Sequence, residues 1–169
     1  MQTPVTTIKA AHQAIEAHLR GHFGANVEQF GVYQPWDPID DEPEATLRTP
    51  ALLIELAAMP TDEPEDHSPG RVAIRCQWTI HVVLSILTEN LQVALAELSA
   101  AVIALIRQTE IDPFRPPLNG NRWGLGDAVG PPEAVFAEPA EFDPGLHGRD
   151  SWAVSWEQVI YVAESLPTD

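Results

Sequence analysis

His12, Glu16, His18 and His22 lie in a stretch whose apolar residues recur at steps of three and four, so one helix carries all four side chains. His18 and His22 stand one turn apart, close enough to share a metal ion. A zincin helix, however, places Glu directly after its first His, and this chain has Leu19 there. No later segment marks out a third ligand, and solvated helix-face histidines are the expectation. Asp62, Glu63, Glu65, Asp66 and His67 form a second cluster. It lacks the alternating oxygen ligands, central glycine and terminal glutamate of a calcium loop, and reads as an acidic loop turned to solvent or to a partner. Asp37, Asp40, Asp41, Glu42 and Glu44 read the same way.

Nucleophilic and phosphate-binding chemistry have no better footing. None of Ser68, Ser85, Ser99, Ser151 and Ser155 sits in a Gly-x-Ser-x-Gly elbow. The glycines of Gly120–Gly130 (GNRWGLGDAVG) are not followed by Lys-Ser or Lys-Thr, and the third arrives one residue late for a dinucleotide fingerprint, so the segment reads as turns. Cys76 is the single cysteine, which excludes an intrachain disulfide, and its place on an apolar strand face predicts a buried, inert thiol. Trp78, Trp152 and Trp156 follow strand periodicity and belong to the core; Trp36 and Trp123 fall in loops and are the better contact candidates. No catalytic residue, metal ligand or cofactor site is assigned, and the chain is expected not to be an enzyme.

The elements that would position these residues are easier to read. From Arg71 to Leu84, Val72, Ile74, Cys76, Trp78, Ile80, Val82 and Leu84 occupy every second position, the mark of one long strand with one apolar face. At about 3.3 Å per residue it reaches on the order of 45 Å, so part of it is expected to overhang its own core. Thr6 or Thr7 caps a first helix running to about Phe23, with Gly24 as its stop. Val27–Tyr33 reads as a short strand and Gln34–Pro50 as a Pro-rich acidic loop. Ala51–Ala58 is a strand buried on both faces, joined to the long strand as an antiparallel hairpin through the acidic connection Met59–Gly70.

A second helix spans about Glu89–Gln108. Its leucine stripe and its opposite small-residue face predict a helix sandwiched between the sheet and either the first helix or another subunit. Asp112–Pro132 is loop-like, Ala134–Phe142 a short edge strand interrupted by Pro139, and Trp152–Val162 a closing strand whose apolar face is broken by Gln158. The pattern is α+β: one domain over residues 1–169, with a mixed, mainly antiparallel sheet, a long protruding β-hairpin and two packing helices.

Composition narrows the partners. Nine Lys and Arg against 25 Asp and Glu give a formal charge of -16, which argues against specific nucleic-acid binding, since phosphate contacts need a basic patch. The longest strongly apolar stretch, Ala100–Ile106, is too short to cross a bilayer, and Met1–Thr7 lacks a signal-peptide pattern, so neither a membrane partner nor export is expected.

The order of these elements, with the strand PALLIELAAMP at Pro50–Pro60, the strand RVAIRCQWTIHVVLS, the helix LQVALAELSAAVIALIRQ and the closing SWAVSWEQVIYV, resembles tail-terminator proteins of long-tailed bacteriophages. The likeness is to the gpU-like group and its counterparts in Mu-like prophages and phage-derived tailocins, over roughly residues 6–163. It implies a virion structural protein assembled in the host cytoplasm: a subunit of a homo-hexameric ring that caps the tail tube, ends its polymerisation and meets the neck or connector protein. In contractile tails it also implies contact with the sheath. No family motif carries a functional residue across.

A ring subunit needs unlike, head-to-tail faces. On this reading the strand face bearing Arg71, Arg75 and Gln77 meets a neighbour or the tube, with acidic loop residues such as Asp62, Glu63 and Glu65 as counter-charges. Pairing of the same arginines within one chain is the open alternative. Other functional readings are a different neck or head–tail joining protein, a small metal-dependent hydrolase using His18 and His22, and a host-derived adaptor domain.

Overall fold

The computed structural model describes residues 4–33, 47–60, 70–140 and 148–164. Its elements in chain order are α1 (Ile8–Phe23), β1 (Gln29–Val32), β2 (Ala51–Ala58), β3 (Arg71–Ser85), α2 (Leu91–Ile106), β4 (Glu133–Ala140) and β5 (Arg149–Ala163), with a single 3-10 turn at Gly126–Ala128 before β4. The strands form one sheet in the order β1-β2-β3-β5-β4. β1 joins β2 in parallel and every other pairing is antiparallel, the α+β arrangement expected from the sequence.

Helix α1 begins where Thr7 Oγ1 accepts the Ala10 amide at 3.0 Å, and it buries Ala11, Ile15, Leu19 and Phe23, the stripe its spacing predicts. Both helices pack on the face of β3 that carries Cys76, Trp78, Ile80, Val82 and Leu84, together with Leu52 and Ile54 of β2 and Val154, Trp156 and Ile160 of β5. The opposite face holds a smaller cluster of Leu47, Ala51, Leu53 and Val83, with Tyr33 packed against it. Consequently Ala73, Thr79 and His81 on that second face are buried as well, and β3 is not apolar on one side and wet on the other.

The long strand does outrun β2, which accompanies it only from Val83 to Gln77. Its remaining stretch, Arg71–Cys76, is carried by β5, which pairs with β3 from Arg71↔Ala163 through Ser85↔Arg149. What extends beyond the hairpin is thus a two-stranded ribbon, because β5 starts three residues before the predicted Trp152 and matches β3 in length. β4, which includes Pro139, takes the sheet edge as expected, with a register shift between Glu133 and Phe136.

Helix α2 rests on β3, β4 and β5, while α1 rests on β1, β2 and β5. α2 buries Leu95, Ser99, Val102, Leu105 and Ile106. Val93, Ala100 and Ala104 on its outward side are exposed, so α1 does not supply the second layer.

Candidate functional site

The residues assigned to an interface are held inside the chain where the structure describes them. Arg71 stacks its guanidinium on the Tyr161 ring, 3.7 Å from the centroid, and donates to the carbonyls of Pro4 and Asp127 at 3.3 and 3.2 Å. It ties the N-terminal segment and the 3-10 turn to the start of β3. Arg75 Nη1 lies 3.2 Å from Glu157 Oε2 on β5 and 3.8 Å from Glu133 Oε2 at the start of β4. Gln77 is half-buried, in register with Ala58 on one side and Glu157 on the other. Asp62, Glu63 and Glu65 lie outside the described residues, as do the acidic residues at 37–44 and Trp36. Of the two readings of Arg71 and Arg75, pairing within one chain is the one this geometry displays.

The α1 histidines face rings rather than one another. His12 packs on Trp78 at 6.1 Å between centroids, His18 stands edge-on to Trp123 at 5.6 Å and His22 edge-on to Phe23 at 4.7 Å. His18 Nδ1 hydrogen-bonds the Ala14 carbonyl at 2.9 Å. Only His22 is exposed; His12 and His18 are half-buried against core tryptophans, which corrects the expectation of solvated histidines. Among the described residues no group of three or more His, Cys, Asp or Glu side chains is placed to hold a metal ion.

Two polar centres stand out inside the sheet. Gln158, almost fully buried on the helix-covered face, accepts the indole N–H groups of Trp123 and Trp156 at 2.8 and 3.1 Å and donates to the carbonyls of Asn121 and Gly130, both at 2.9 Å. Asn121 in turn accepts the Trp123 amide and donates to the Leu105 carbonyl, and Glu110 Oε1 accepts the amides of Arg122 and Gly124. Trp123, expected as a loop contact residue, is therefore a core residue that pins its loop to the sheet, with its own backbone at φ 57. Burial draws the Arg122 guanidinium pKa down against the opposing pull of Glu110, Asp127 and Tyr161, while its Nη1 donates to the Val129 carbonyl at 2.6 Å. The one signal available beforehand was Gln158 itself, a polar break in an apolar strand face.

On the other face, Glu55 Oε2 meets His81 Nε2 at 2.6 Å, and Tyr33 stacks on the His81 ring at 3.9 Å between centroids. Thr79 and Ser155, next along that face, share a hydrogen bond of 2.9 Å. Neither hydroxyl is aligned on a base by that bond, and Cys76, on the opposite face, has its thiol pushed up by burial from 9.0 to about 11. A Glu–His pair without an activated nucleophile supports a positioning role more readily than catalysis.

The surface carries what the interior does not use. A groove of about 670 Å³ runs between α1 and the loop after α2, with His18, Glu110, Asp112, Arg115, Leu125 and Asp127 among its lining. That loop closes on itself through paired backbone bonds between Glu110 and Leu118, both 3.1 Å, and displays Ile111 and Phe114, the latter 93% exposed. At the β3–α2 turn Leu87 is 89% exposed, beside Ile86 and Val93. No helix of the described residues is long and apolar enough to cross a membrane. Compared with known proteins, the chain matches no family model and no curated sequence.

Proposed function

We propose that this chain is a structural assembly subunit of the tail-terminator type, acting through cohesive surfaces: copies associate as a hexameric ring on a phage tail tube, end its growth and offer the neck protein a docking face. The observation that carries the reading is the outward side of α2. A 16-residue helix with Glu97 as its one charged residue turns Val93, Ala100 and Ala104 to solvent in a protein of formal charge -16. An apolar face kept on so acidic a molecule is the signature of a covered surface, and small residues there let a neighbouring backbone approach closely. The sheet adds unlike edges, β1 at one side and the Pro139-bearing β4 at the other, as a head-to-tail assembly requires. The net acidity supports a further consequence, that DNA passing such a ring slides without adhering.

Electron microscopy of tails assembled with and without the protein tests the proposal. Tails of uniform length with a ring at one end are expected when it is present, and over-long tails when it is absent. Equal length distributions in the two preparations overturn it. A head–tail joining role instead predicts normal tails that fail to acquire heads.

A further inference from the structure

Two apolar tips project from opposite ends of the molecule, each on a turn that is already rigid. At the end of β3, Thr88 N donates to the Ser85 carbonyl at 3.0 Å, Leu87 N to Ser85 Oγ at 3.2 Å and Ile86 N to the Gly148 carbonyl at 2.9 Å, so the turn that presents Leu87 is tied on both sides. At the other end, the Glu110–Leu118 bridge closes the loop that presents Phe114, whose amide is held by Asp112 Oδ1 at 2.8 Å. The two lie apart along the long axis. The Phe114 loop borders the groove whose residues Pro4 and Asp127 anchor Arg71, the first residue of β3, whereas the Leu87 turn follows Ser85, its last.

The charges at the two ends differ in a matching way. Arg149, paired in register with Ser85 beside the Leu87 turn, makes no ion pair among the described residues, and Glu89 lies exposed in the turn itself. The groove end carries Asp112, Asp127 and Arg115. Each end therefore offers charges of the sign the other lacks.

We propose that the Ile86–Leu87 turn of one copy docks on the Ile111–Phe114 loop and adjoining groove of the next copy, forming a head-to-tail contact. This rests on the ring-subunit reading above and names the surfaces by which the ring is made. Because the two surfaces differ, the contact repeats from copy to copy until rotation closes it. Turns that are held before association lose little freedom on docking, which favours an exposed apolar tip as an anchor.

The test uses single-cysteine chains in a Cys76→Ala background, one with Leu87→Cys and one with Phe114→Cys, treated with a short bis-maleimide. The expected result is a covalent dimer in the mixture and none with either chain alone, while the doubly substituted chain yields a ladder ending at the ring. Dimers formed by either single variant alone overturn the head-to-tail arrangement, and so does a mixture that fails to cross-link. In parallel, Leu87→Asp in the otherwise natural chain is expected to weaken self-association about 10- to 100-fold with its melting profile unchanged. Tails capped at normal length by that variant overturn the contact and leave the terminator reading intact. Head-to-tail cross-linking by a protein that leaves tail length unaltered does the reverse.

Discussion

Gln158 and His81 stand on opposite faces of the same sheet, both buried and both polar, yet their surroundings treat them differently. Gln158 uses its whole hydrogen-bonding capacity: two indoles that can only donate meet its oxygen, and two carbonyls that can only accept meet its nitrogen. Nothing there gains or loses a proton, and the four partners bring the Asn121–Gly130 loop to β5 in one arrangement. The Glu55–His81 pair is a single contact between titratable groups, with the Glu55 side chain 31% exposed and Tyr33 laid over the ring. A neutral, complete network fixes structure, whereas a partly wet pair adjusts at small cost.

The strongest way to break this contrast is Gln158→Leu. It keeps the apolar volume but leaves two indole N–H groups and two carbonyls without their partner in the interior, a loss of about 3–5 kcal/mol. Urea unfolding followed by tryptophan emission reads it directly, since Trp123 and Trp156 are the reporters. A loss below about 1 kcal/mol would mean that water replaces the network and that it is not sealed. On the opposite face, Glu55→Gln retains a hydrogen-bonding side chain while removing the charge, and a change of only about 1 kcal/mol is expected in the same measurement.

Arg75 allows a finer comparison, because its bonds to Glu157 and Glu133 join three strands at the edge of the same face. With about a third or more of both carboxylate side chains exposed, solvent screens the pairs. A double-mutant cycle of Arg75→Ala and Glu157→Ala should give a coupling of about 0.5 kcal/mol, falling as salt is raised. A coupling several times larger, insensitive to salt, would show that the ribbon depends on this pair.

Much of the frame was legible in the residues. The stripe Ala11, Ile15, Leu19 and Phe23 placed α1, the run ALLIELAA gave β2 with its printed ends, and the alternation from Val72 placed β3. Periodicity succeeds there because each element buries its own repeating face. It failed where burial depends on a distant partner. Trp123 has no periodic neighbours, and its burial follows from Gln158, which lies 35 residues away. The Glu55–His81 contact requires the register that sets Leu53 against His81, and the long connection between β2 and β3 does not specify that register. Arg71 and Arg75 looked available because alternation assigned them to an outer face, while β5 and the turn at Asp127 supply partners that no spacing rule encodes.

Cys76 supplies the smallest and most selective probe, for it lies directly opposite Gln158 in the β3–β5 register. Two side chains at one level of the same face thus differ only in chemistry: one is saturated with hydrogen bonds, and the other is a thiol whose burial raises it from 9.0 to about 11. Below pH 9 the thiol is neutral in folded and unfolded chains alike, and its contribution to stability is fully present. Between pH 9 and about 11 the unfolded chain releases this proton while the folded chain retains it, so stability falls as the pH rises. Cys76→Ala removes that dependence. The difference in unfolding free energy between the natural chain and Cys76→Ala is therefore expected to shrink from pH 8 to pH 11, and a difference that stays constant across that range would mean the thiol ionises as freely in the fold as outside it.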